Sequence, residues 1–81
     1  MYKIDIHVKL KENVLDPQGK VIKHAANEMG YKKVKEVKQG KYFEIIIKDI
    51  SDVEKYALQI AKNILANEVI EDFKIIKIKR L

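Results

Sequence analysis

Apolar and polar residues alternate from the start of the chain. Tyr2, Ile4, Ile6, Val8 and Leu10 interleave with Lys3, Asp5, His7, Lys9 and Lys11. That period of two is the mark of a strand with one face on a core and the other against water or a polar partner. The pattern then changes. In VLDPQGKVIKHAANEMGY, Val14 to Tyr31, Asp16 stands where an N-cap belongs and Pro17 occupies the first helical position, where no N–H is needed. Val21, Ile22, Ala25, Ala26 and Met29 recur at helical spacing and predict a buried stripe, and Gly30 suits a left-handed C-terminal closure. The spacing predicts a helix from Pro17 to Met29.

From Tyr31 to Lys38 the signal weakens. Val34 and Val37 lie three apart, which breaks strict alternation and predicts a bulged or irregular strand. Gln39-Gly40 reads as a turn. KYFEIIIKDI is strongly strand-like, with Phe43, Ile45 and Ile47 on one face and Tyr42 and Ile46 on the other. A strand apolar on both faces is covered on both. Ser51 and Glu54 form a potential capping box. Val53, Tyr56, Ala57, Ile60, Ala61, Ile64 and Leu65 then predict a helix from Asp52 to Ala66, closed by Asn67. EVIEDFKIIKIKRL supplies a short connection and a last strand, Glu71 to Arg80. The expected order is βαββαβ. With right-handed crossovers this is an α+β two-layer sandwich, a four-stranded antiparallel sheet with two helices on one face, of ferredoxin-like type. Residues 1–81 are read as a single domain.

Composition sharpens this picture. A chain of 81 residues has a small core, and small scaffolds gain stability from disulfides, metals or association. Cysteine is absent, so disulfides and thiolate metal sites are excluded and association with another chain is the expected route. The longest aliphatic run, Ile45-Ile46-Ile47, is far short of a membrane span, and charge interrupts the N-terminus at once. A cytoplasmic protein with no membrane partner is expected. The net charge of +5 raises nucleic acid as a partner, but Arg80 is the only arginine and acidic residues are interspersed.

Reactive groups are scarce. Ser51 is the only serine, threonine is absent, and the two histidines, His7 and His24, have no third ligand at metal-site spacing. Gly19, Gly30 and Gly40 are scattered and form no phosphate loop. No catalytic, cofactor-binding or metal-binding residue is assigned. A base-stacking RNA module would place two aromatics on one face, yet Tyr42 and Phe43 are adjacent and point to opposite faces. A basic RNA-binding module and a small-ligand regulatory domain are the alternatives that this fold class leaves open.

VLDPQGKVIKHAANEMGY, QGKYFEI and ILANEVIEDF, in that order, resemble the signatures of the PurS family, the small subunit of phosphoribosylformylglycinamidine synthase in purine biosynthesis. The resemblance covers nearly the whole chain. It implies a PurS-like fold and a non-catalytic subunit that bridges a glutaminase subunit and a large synthetase subunit, with ATP and magnesium held by the synthetase. It also implies a homodimer or tetramer. Asp16, Pro17 and Gly19 match the first motif, Gly40 and Lys41 the second, and Asn67, Glu71 and Asp72 the third. These residues, with Tyr42, Ile46, Ile76 and Ile78 as sheet surface covered between copies, are the subunit-contact candidates. Local structure alone accounts for Asp16, Pro17 and Gly40 as a helix start and a turn. It does not require the charges of Lys41, Glu71 and Asp72.

Overall fold

The computed structural model describes residues 1–81. The elements in chain order are strand β1 (Tyr2–Leu10), helix α1 (Pro17–Glu28), strand β2 (Gly40–Ile47), helix α2 (Val53–Ile60) with a π-helical turn at Ala61–Leu65, and strand β3 (Glu71–Arg80). The sheet is antiparallel, with β1 in the centre and the order β2-β1-β3.

The sheet therefore has three strands, and the expected four-stranded sandwich with two helices on one face is overturned. Tyr31 to Lys38 forms a turn and an irregular extended segment. The reason lies in its partners. The Asn27 side-chain amide donates to the carbonyls of Tyr31 and Val34, at 2.9 and 3.3 Å. The Gln39 amide donates to the Asp16 carboxylate at 2.8 Å. The segment is thus tied to α1 at both ends. With Val34 and Val37 three apart, it also offers no alternating face to a sheet.

The core belongs to β1 and α2. Ile4, Ile6 and Val8 are fully buried, as are Ala57 and Ala61, and Ile47 completes the cluster. The two alanines let the helix axis approach the sheet closely. Tyr2, Phe43, Ile45, Phe73, Ile75 and Ile78 surround them, half-buried. No residue of α1 joins this cluster. Val21 is 69 % exposed and Met29 is 77 % exposed, and only Gly19 of the helix is buried. The helix and the returning segment form an arm that leaves the sheet. The molecule measures 50 × 27 × 14 Å, with a radius of gyration of 16.2 Å. A compact chain of this length would have about 12 Å.

Two local expectations also change. Asp52, not Ser51, caps α2: it adopts a left-handed conformation at φ 53° and its carboxylate accepts from the Lys55 amide at 3.2 Å. A carboxylate so placed is the stronger acceptor and displaces the Ser51 capping box. At the other end, the helix widens into the π-type turn, where the Ala66 amide donates to the Ala61 carbonyl, and Ala66 is already extended. Asn67 therefore closes nothing in the left-handed region.

Candidate functional site: the arm hinge and the uncovered faces

Arm and sheet meet where the first two motifs converge. Asp16 accepts with one carboxylate oxygen from the Gly19 amide, at 2.8 Å, and with the other from the Gln39 amide, at 2.8 Å. One side chain thus caps α1 and clasps the strand that returns from the arm. These amides, Gln39 first, hold the Asp16 carboxyl below its ordinary value. Pro17 occupies the first turn of α1, and the Gln39 side chain donates to that of Gln18 at 2.6 Å.

Both motif glycines are required by close approach. A Cβ on Gly19 would stand 2.0 Å from the Val37 carbonyl oxygen. On Gly40 it would stand 2.8 Å from both the His7 ring and the Val8 carbonyl oxygen. Asp16, Pro17, Gly19 and Gly40 are thus brought together as one hinge. The pairing of Asp16 with Gln39, across 23 positions, could not be read from the sequence. Its only trace was a cap residue and a glycine-containing turn near opposite ends of a helical segment and its return.

The third motif sits at the same end of the sheet. Glu71, buried, accepts from the Asn67 amide at 2.7 Å and pairs with Lys41 at 3.3 Å. Lys41 on β2 and Glu71 on β3 reach each other across β1. The Asn67 amide and then Lys41 hold the Glu71 carboxyl below its ordinary value. Asn67 also accepts through its carbonyl from the Ile70 and Glu71 amides and through its side chain from the Val69 amide. These charges serve an internal clasp. Asp72 lies opposite Lys9 in the ladder, exposed.

The sheet face away from α2 is uncovered. The register places Lys3, Asp5, His7, Tyr42, Glu44 and Ile46 there, with Lys74, Lys77 and Lys79 from β3. Tyr42 and Ile46 are exposed on it. Ile78 is not: it lies opposite Ile4 on the core face, half-buried. Ile76 sits where the ladder shifts register, so it has no partner on β1, and it is exposed. Asp5 is 9 % exposed, and one of its carboxylate oxygens has no hydrogen-bond partner. The same carboxylate holds the Tyr42 phenol above its ordinary value. Alternation marks Asp5 only as a polar-face residue, and helical spacing predicts a buried α1 stripe; the structure instead leaves Val21, Ile22 and Met29 exposed, because no element of the chain packs over that face.

Comparison with known proteins agrees with this geometry. The family model for PurS, described as phosphoribosylformylglycinamidine (FGAM) synthase, matches residues 3–79. The phosphoribosylformylglycinamidine synthase subunit PurS of Bacillus subtilis is 44 % identical over 75 residues, covering 91 % of this chain and 89 % of the relative. A crystal structure of B. subtilis PurS superposes with a TM-score of 0.91 at 40 % identity, over 99 % of this chain and 100 % of that one. The PurS of Methanocaldococcus jannaschii, one of the subunits of formylglycinamide ribonucleotide amidotransferase in the purine biosynthetic pathway, superposes with a TM-score of 0.87 at 38 % identity, over 100 % and 99 % of the two chains. With a match from residue 3 to residue 79 and a shared three-dimensional form, this chain belongs to the PurS family.

Proposed function

We propose that the chain is the small, non-catalytic subunit of phosphoribosylformylglycinamidine synthase in de novo purine biosynthesis. It bridges a glutaminase subunit, which releases ammonia, and an ATP-dependent synthetase subunit, which activates the amide oxygen that ammonia displaces. Nucleotide and magnesium belong to the synthetase subunit, and the complex works in the cytoplasm. The observation that carries this reading is family membership over almost the entire length of the chain. The architecture suits it: a small anchored sheet with a projecting arm has much surface to offer to partners and few reactive groups. No helix is long and apolar enough to cross a membrane.

The chain works as a homodimer or a dimer of dimers. Its accessible surface is 6390 Å². A compact chain of 9.5 kDa would expose about 5,000 Å². The surplus, roughly 1,300 Å², exceeds the ~800 Å² that one partner buries in an ordinary interface. Val21, Ile22 and Met29 on the arm are among the large apolar residues left exposed. The extended backbone from Lys35 to Lys38 donates no hydrogen bond within the chain. Those free donors suit a contact with a second copy.

Reconstitution tests the function. Glutamine-dependent synthesis by the two larger subunits is expected to need this chain, and equal rates without it would remove the proposal. Sedimentation equilibrium at micromolar concentration tests the assembly, where monomer alone would count against it.

A further inference from the structure

We infer that the cleft between the arm and the sheet binds a small anion carrying two or more phosphate charges. The cleft has a volume of about 480 Å³ and lies beside the hinge. Such a volume is within the range of small-molecule sites. Lys9 and Lys11 line it from the end of β1, Lys20 and Lys23 from α1, and Lys35 from the returning segment, with His7 on the sheet side. None of these five lysines takes part in an ion pair.

The acidic groups of the cleft offset them only in part. Asp16 is ionised and accepts backbone amides with both oxygens. Glu36 pairs with Lys38 at 3.7 Å. Asp16 and Glu12 then stand against the five free ammonium groups, which leaves the wall net positive by three charges. A concave wall with a net positive charge concentrates field and draws a counter-ion. Three separate segments contribute the lysines, so the cluster exists only where the hinge joins the arm to the end of β1.

The composition of the wall selects the ligand. Every cation is lysine, which binds phosphate as a compact point charge rather than through arginine's bidentate fork. The lining holds no Phe, Tyr or Trp, so no base can stack there and single-stranded nucleic acid finds no platform. Recognition therefore rests on the phosphate groups themselves.

Calorimetric titration of the full chain, in its own solution assembly, with inorganic pyrophosphate tests this. One saturable site per chain is expected, weaker at 200 mM than at 50 mM salt. Lys20→Gln with Lys35→Gln is expected to weaken it at least tenfold. Lys77→Gln with Lys79→Gln removes the same charge from the uncovered sheet face and is expected to change it less than twofold. Equal weakening by both pairs, absence of saturation, or binding of an acidic peptide without pyrophosphate would each overturn the inference. The measurement needs no partner subunit, so its failure would leave the proposed function untouched.

Discussion

The two ends of the molecule solve the same problem in opposite ways. At the sheet, α2 buries Ala57 and Ala61 against Ile4, Ile6 and Val8, and the apolar stripe finds its cover within the chain. On the arm, α1 carries a comparable stripe at the same spacing, yet Val21, Ile22 and Met29 face outward. Periodicity of 3.6 states that a helix has an apolar face. It does not state whether the surface that covers it belongs to the same copy. The sheet end covers its apolar stripe within the chain, while the arm leaves its own uncovered.

The largest expected effect separates these ends. Ile6→Ala, at a fully buried position in the central strand, should cost about 2–5 kcal/mol in denaturant unfolding. Val21→Ala on the arm should change the stability of an isolated copy by no more than roughly 0.5 kcal/mol. If both cost the same at low concentration, the contrast fails.

The hinge comes next. Gly19→Ala places a methyl group on the Val37 carbonyl and should cost roughly 1–3 kcal/mol by forcing the backbones apart. Amide shifts at Gln39 and Val37 should move while those of Ile4 to Val8 stay, and a spread of shifts across the sheet would deny the hinge its independence. Ile22→Asp should then loosen self-association, read as a rise in the dissociation constant by sedimentation, with little change in the melting of the monomer.

The smallest effect is a pH dependence. The carboxyl of Glu71 is held below its ordinary value of 4.5 in the folded chain. Its stabilisation is therefore complete above that pH, and is lost as pH falls through the depressed folded value. Glu71→Gln should remove that part of the acid sensitivity of melting, and Asp16→Asn should remove a further part, since Asp16 is lowered in the same sense. An unchanged acid limb in both variants would mean that neither clasp matters to stability.

Much of the fold was legible because it rests on short-range rules. Alternation marked β1, a two-sided apolar run marked β2, the last strand was read at the bounds of β3, and Asp16-Pro17 marked the start of α1 at the residue where it begins. Misreadings arose where two distant segments compete for one partner. The segment Tyr31 to Lys38 was read as a fourth strand because extended chain with valines suits a sheet. Asn27 and Asp16 hold it against α1 instead. The pairing of Lys41 with Glu71 across an intervening strand was likewise invisible, because nothing local joins them. Ile76 and Ile78 were read together as sheet surface, and a register shift in the β1–β3 ladder separates them.

By itself, then, the sequence determined where strands and helices form and which side of each is apolar. It also carried the family resemblance, because motifs are contiguous. Tertiary structure alone decided which apolar faces are covered and that the lysines of three segments share one cleft. It also decided that one carboxylate both caps a helix and clasps its return. Those features depend on the direction in which the arm leaves the sheet. A hydrogen bond between residues 23 positions apart sets that direction, and local propensity holds no information about it.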